Sequence, residues 1–263
     1  MSPDATLRAI LFDIGRVIVR VDYDRALRTL GSSAGRSGQE VWQLISSDPR
    51  MRDLQEGRVT PQEWHEHLSR RLGMHLGFDE FIVAWNSALV PQTMIPDAVF
   101  AEAGRYRLGL LSNTDPIHVA LIESTFSFPR FFPVRIYSCQ VGMSKPDPAI
   151  YRLAIDSLAA VPAYPSGTER SQRAPASTLR HSEGPTPVGV EESLLAAPRL
   201  RPEEILYIDD VPEFLNAGQR AGMQGLLFTG AEALMAELRR RGIVAGANDP
   251  SAALPWWLGN KQD

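Results

Sequence analysis

The chain has 263 residues, 44% of them apolar and 22% charged, with a net charge of −4. That composition excludes a mainly disordered chain and supplies enough apolar material for a large core. The acidic balance argues against nucleic acid as the main partner, no run approaches the ~18 apolar residues of a membrane helix, and one cysteine, Cys139, forms no internal disulfide. The opening run Ala9-Ile10-Leu11-Phe12 is short and stops at Asp13, so it does not read as a secretory leader. A cytoplasmic protein is expected.

Residues 7–19 are apolar and β-branched on both sides of Asp13, which suits a central strand of a parallel sheet. Residues 20–96 show helical periodicity and little strand character, and are expected to form a small all-helical insertion after the first strand. Within them, Thr60-Pro61-Gln62-Glu63 matches a capping box, and its helix is expected to stop near Gly73. Another helix is expected over Asp79 to Leu89. Leu108–Leu111, ending in Ser112-Asn113-Thr114, reads as a second core strand, and Asp115-Pro116 as the start of the next helix. Arg135–Ser138 is a weaker strand candidate, followed by Lys145 and a helix start at Asp147-Pro148. Residues 161–200 carry six of the chain's 20 prolines and read as a disordered insert. Ile205–Ile208 forms a third clear strand, ending in Asp209-Asp210, with a helix from Pro212 and a weaker strand at Leu226–Phe228. The expected plan is α/β, a Rossmann-like parallel sheet with helices on both faces. It divides into core at 1–19, cap at 20–96, core at 97–160 and 201–245 around the insert, and a tail at 246–263.

Asp13, Ser112, Lys145 and Asp209-Asp210 sit at or near the ends of apolar runs. In open parallel sheets such positions converge outside the carboxyl ends of the strands. Carboxylates gathered there repel one another and need a cation, and Mg²⁺ takes oxygen ligands while leaving room for phosphate oxygens. A lysine adds positive charge, and a hydroxyl with nearby backbone N–H groups can hold a phosphoryl group. An ionised Asp can then attack phosphorus.

In this order, FDIGRVIV, LLSNT, SKPDP and YIDD resemble the four motifs of the haloacid dehalogenase-like hydrolases, over about residues 7 to 230 apart from the insert. The SNT signature and EGRVTPQEWHEHL are similar to the branch containing α-D-glucose-1-phosphate phosphatase. The resemblance implies a Mg²⁺-dependent phosphatase acting on a small phosphorylated molecule, with a sugar phosphate as the expected substrate, and no nucleic-acid or membrane partner. It implies Asp13 as nucleophile and metal ligand, the Gly15 carbonyl as ligand, and Ser112 and Asn113 as phosphate binders. Lys145 pairs with phosphoryl group and nucleophile, and Asp209 and Asp210 serve the metal. It assigns no oligomeric state.

Two positions depart from the pattern. Gly15 stands where most relatives carry a second Asp that protonates the leaving group, a contribution of about 10²–10⁴ in rate. It motivates a second reading, a phosphate-binding or regulatory protein that keeps the pocket. Phe214 stands where an Asn often follows the double Asp, which is expected to loosen the loop around Asp210. A metal-free 2-haloacid dehalogenase is a third reading, disfavoured by Asp209-Asp210. A response-regulator receiver carries its acidic pair on the first strand, not the last. His65 and His67 lack zinc-site spacing and read as solvated. Cys139 reads as a buried thiol, Gly218, Gly222 and Gly225 as helix exit and turn, and Trp42, Trp64 and Trp85 as core of the cap or its entrance. Trp256-Trp257 are expected to pack onto the domain.

Overall fold

The computed structural model describes residues 6–162 and 199–245. The greater part of the proline-rich stretch, and the tail with Trp256-Trp257, lie outside the described residues.

Strand β1 (Ala9–Phe12) leads to β2 (Val19–Val21). Five helices follow: α1 (Tyr23–Ala34), α2 (Gly38–Ser46), α3 (Pro49–Gln55), α4 (Pro61–Leu72) and α5 (Phe78–Asn86). Then come β3 (Leu89–Thr93), α6 (Asp97–Glu102), β4 (Arg107–Ser112), α7 (Pro116–Thr125), β5 (Val134–Tyr137), α8 (Ser138–Val141) and α9 (Pro148–Ala160). The chain closes with β6 (Ile205–Asp209), α10 (Pro212–Arg220), β7 (Gln224–Leu227) and α11 (Ala231–Arg240).

The core sheet is parallel with strand order β5-β4-β1-β6-β7. Every residue of β1, β4 and β6 is buried, which is why these strands read as unbroken apolar runs. Successive side chains of β1 serve opposite faces. Ile10 and Phe12 pack with Phe100 of α6, Ile122 of α7 and Leu238 of α11. Ala9 and Leu11 pack with Tyr151 and Leu158 of α9 and Leu215 of α10. Connections leave β1 toward β4 on one side and reach β6 on the other, so the crevice at the ends of these three strands is a switch point where ligands bind.

The run 7–19 is not one strand. β1 stops at Phe12, and Ile14 C=O accepts N–H bonds from Val17, Ile18 and Val19, at 3.3, 2.8 and 2.9 Å. Arg16 takes a left-handed conformation, φ 60°, to make this loop. Ile14, Val17 and Ile18 stay buried, so burial without strand pairing explains the apolar run. The stretch 20–96 also holds more than helices. β2 pairs antiparallel with β3, and Asp22 N–H donates to Ala88 C=O at 2.7 Å. The five helices therefore hang from the core on a two-stranded neck, around their own apolar centre of Trp64, Leu68, Phe81 and Trp85.

Local signals act as expected. Thr60 and Glu63 form the capping box, and Gly73 ends α4 in the left-handed region. Asp115 and Asp147 cap α7 and α9. The histidines differ from expectation. His65 is half-buried with Nε2 2.9 Å from Leu76 C=O, and His67 Nε2 is 2.6 Å from Asp48 Oδ2, because α4 packs these flanks against its neighbours. Cys139 is half-buried rather than buried. Gly218 lies inside α10, where a Cβ would fall 2.5 Å from the Tyr207 ring, so its bareness lets α10 close on β6. Gly225 lies in β7. Among the described residues, no helix is long and apolar enough to cross a membrane.

Candidate active site

Asp13 follows β1 directly, Ser112 ends β4 and Asp209 ends β6, so the parallel register brings all three to one end of the sheet. Lys145 comes from the loop between α8 and α9. Its Nζ lies 2.8 Å from Asp13 Oδ1, 2.7 Å from Asp209 Oδ2 and 3.1 Å from Leu111 C=O. All four of these side chains are buried.

The lysine is placed by its own backbone. Asn113 Oδ1 accepts from Lys145 N–H at 2.7 Å, and Asn113 Nδ2 donates to Lys145 C=O at 2.8 Å. The next residue back, Ser144, donates to Glu56 of the helical insertion. The amide of Asn113, expected at a phosphoryl group, is thus engaged in clamping Lys145. Tyr207, which the sequence did not single out, donates its hydroxyl to Asp209 Oδ2, while Asp209 Oδ1 accepts from Val211 N–H at 2.8 Å. That last bond closes the turn after β6 with Phe214 in place. The Phe214 ring centre lies 5.1 Å from Lys145 Nζ, on the cation's flank.

Asp13, Asp209 and Asp210 each offer an oxygen, and these oxygens lie within 4.8 Å of one another. Asp210 Oδ2 pairs with Arg16 Nε at 2.9 Å. Asp210 Oδ1 is buried and has no hydrogen-bond partner among the described residues. A buried carboxylate oxygen without a donor is costly unless something electropositive faces it. The donor set is all oxygen, which suits a hard divalent cation such as Mg²⁺.

Charge explains the electrostatics. Burial pushes the Asp13 carboxyl up to about 6, against the pull of Lys145 and with the help of Asp209. Burial likewise raises Asp210, opposed by Arg16. Burial alone would lower Lys145, yet Asp13 and Asp209 outweigh it and hold the ammonium above its ordinary range. Three carboxylates, Asp13, Asp209 and Asp210, against the two cations Lys145 and Arg16 leave the cluster short of positive charge.

A second buried group adjoins the first. Asp115 Oδ1 accepts the N–H groups of Ile117 and His118 at 2.9 and 3.0 Å. Asp115 Oδ2 accepts the Trp85 indole N–H at 3.1 Å and faces His118 Nδ1 at 3.0 Å. His118 Nε2 lies 3.3 Å from Trp85 C=O. Both ring nitrogens of His118 face acceptors, which calls for the imidazolium. Only the capping role of Asp115 was legible, because its other partner is 30 residues away in sequence.

No protein-family model matches the chain. It is 24% identical over 163 residues to D-ribitol-5-phosphate phosphatase of Bacteroides thetaiotaomicron, covering 59% of this chain and 79% of that one. Its fold is that of a haloacid dehalogenase-family enzyme of Bacteroides thetaiotaomicron solved with magnesium, at TM-score 0.65 and 20% identity over 89% of this chain and all of that one. The same enzyme is known in complex with magnesium and inorganic phosphate, at TM-score 0.62 and 20% identity over 85% of this chain and 95% of that one. A Porphyromonas gingivalis protein described as a predicted HAD-like family hydrolase matches at TM-score 0.62 and 22% identity, over 89% of this chain and 99% of that one.

Proposed function

We propose that this chain, which has the haloacid dehalogenase-like fold, is a Mg²⁺-dependent phosphatase that hydrolyses a small phosphate monoester through a phosphorylated Asp13. The observation that carries the reading is the meeting of Asp13, Asp209 and Asp210 with the ammonium of Lys145 in one buried crevice. The unpartnered Asp210 Oδ1 supports a cation there. Asp13, Asp209, Asp210 and the Gly15 carbonyl are the groups proposed to hold Mg²⁺. When bound, the ion offsets the negative charge of the carboxylates and the phosphoryl group.

Asp13 supplies the attacking oxygen. Lys145 keeps that oxygen oriented and adds positive charge beside the phosphoryl group. Ser112 offers its hydroxyl to a phosphoryl oxygen, and Asn113 contributes through the Lys145 backbone it clamps. Tyr207 and Val211 fix both oxygens of Asp209, so this carboxylate is oriented before any ligand arrives.

The magnesium and phosphate complexes of the Bacteroides enzyme, and the activity named for the ribitol-phosphate relative, support a phosphorylated small molecule as substrate. Sugar and polyol phosphates are the first class suggested by resemblance. Gly15 favours the non-catalytic reading as the rival, whereas the acidic triad argues against metal-free halide release. The test is phosphate release from a panel of monoesters with Mg²⁺ and with EDTA. Turnover that needs Mg²⁺ is expected. Silence across the panel supports the binding protein, and full activity in EDTA removes the metal.

A further inference from the structure

A cavity of about 110 Å³ lies between the helical insertion and the core. On the core side it is lined by Asn113 and Thr114, the residues directly after Ser112. Tyr23, the first residue of α1, lines its other side. The cavity therefore adjoins the end of β4 that carries Ser112, in position to receive the alcohol part of a phosphate ester.

Its walls are apolar and aromatic. Leu27, Leu30 and Ile45 face it together with the rings of Tyr23, Trp42 and Trp85. The polar groups on its surface are mostly engaged. Asp115 receives four donors, His118 has an oxygen at each ring nitrogen, and the Asn113 amide is closed on Lys145 at both ends. Gln55 and the hydroxyls of Tyr23 and Thr114 remain. A polyol or sugar brings several hydroxyls, each needing a partner once water is excluded, and a site without those partners discriminates against it. At about 110 Å³ it is smaller than the roughly 150 Å³ of an apolar cavity that takes up benzene, which limits the enclosed part of a leaving group to a compact one.

The same choice follows from protonation. Gly15 has no side chain, Asp115 on the cavity wall is an acceptor four times over with no proton to give, and the His118 imidazolium directs both its N–H groups at Asp115 and the Trp85 carbonyl. A phenol, with an unperturbed pKa of about 10, departs as its anion far more readily than an alkyl alcohol.

We infer that the substrates are phosphate monoesters of compact aromatic alcohols, an inference that rests on the phosphatase reading above. An Asp13 oxygen bonds to phosphorus while the ester P–O bond breaks. The bonding pair stays on the phenolic oxygen, which takes a proton from water. A second water then bonds to phosphorus and gives a proton to the hydroxide left by the first, the P–O bond to Asp13 breaks, and inorganic phosphate leaves with the carboxylate restored.

The test compares kcat/KM for benzyl phosphate, phenyl phosphate and D-ribitol 5-phosphate, using the full chain with Mg²⁺. Benzyl alcohol and the polyol are both poor leaving groups, so their ratio reads the cavity rather than intrinsic reactivity. Benzyl phosphate is expected to lead D-ribitol 5-phosphate by about tenfold, with phenyl phosphate faster still. Trp42 is 43% exposed, so Trp42→Ser leaves the apolar core intact, and it is expected to raise KM for benzyl phosphate several-fold more than it lowers kcat. Parity between the two esters, their reverse order, or an unmoved KM in Trp42→Ser overturns the inference and leaves the phosphatase standing. Hydrolysis of none of the three with Mg²⁺, nor of the wider panel, removes the phosphatase and this inference with it.

Discussion

Ser144 Oγ donates to Glu56 Oε1 at 2.6 Å, joining the helical insertion to the residue beside Lys145. Glu56 also pairs with Arg52 at 2.9 Å and with Arg58. Gly57 presses on the core so closely that a Cβ would meet the Cys139 carbonyl oxygen at 2.1 Å. The insertion thus bears directly on the loop that presents the lysine.

Burial alone would raise the Glu56 carboxyl, but Ser144, Arg52 and Arg58 hold it down at about 2. A depressed carboxylate stabilises the fold above its unfolded pKa, near 4.5, and that stabilisation is lost as pH falls toward 2. Wild-type thermal stability is therefore expected to drop more steeply than that of Glu56→Gln between these limits. At neutral pH, Glu56→Ala is expected to cost about 1–3 kcal/mol by denaturant unfolding. Equal acid sensitivity in wild type and Glu56→Gln would refute the account.

His118 shows the opposite sign. Burial lowers its pKa, yet Asp115 more than compensates, so the folded value stands above the ordinary 6.5. Its stabilising effect is complete below that value and is lost as pH rises through the raised one. His118→Gln is expected to cost about 3 kcal/mol at pH 6, since Asp115 is left buried without its cation, and less at pH 9. Melting temperatures of both proteins across this range decide it.

Asp13→Asn keeps an acceptor for Lys145 but removes the attacking carboxylate oxygen. Turnover is expected to fall by about 10³-fold or more, with melting behaviour close to wild type. Activity comparable to wild type in the purified variant would eliminate Asp13 as nucleophile.

Mg²⁺ is expected to stabilise the folded chain by about 2.7 kcal/mol at one hundred times its dissociation constant. Asp210→Asn is expected to lose most of that gain, because it alters the carboxylate whose oxygen lacks a protein donor. Calorimetric titration of both proteins with MgCl₂ reads the difference. Unchanged affinity in the variant would place the ion elsewhere.

The core strands and the polar residues at their ends were legible because a parallel strand buried on both faces is an apolar run, and a charge interrupts it only at an end. Asp13, Ser112 and Asp209 declared themselves in this way. The loop after Asp13 did not, because Ile14, Val17 and Ile18 are as buried as strand residues while their backbone turns. Nor did β3, whose Leu-Val-Pro-Gln-Thr sequence is half exposed and carries a proline, tolerable because it pairs only with β2. Tyr207 looked like any aromatic in a buried strand. Its bond to Asp209, and that of Trp85 to Asp115, depend on tertiary placement that periodicity does not encode.

The neck of two strands has an evolutionary consequence. The polypeptide departs at Asp22 and returns at Ala88, with one hydrogen bond of 2.7 Å spanning the gap. A replacement segment has to match that short distance at its two ends and to supply again the contacts that Glu56, Gly57 and Trp85 make with the core. The parallel sheet can accordingly be kept while the helical segment is remodelled, as one bit is swapped in a fixed chuck.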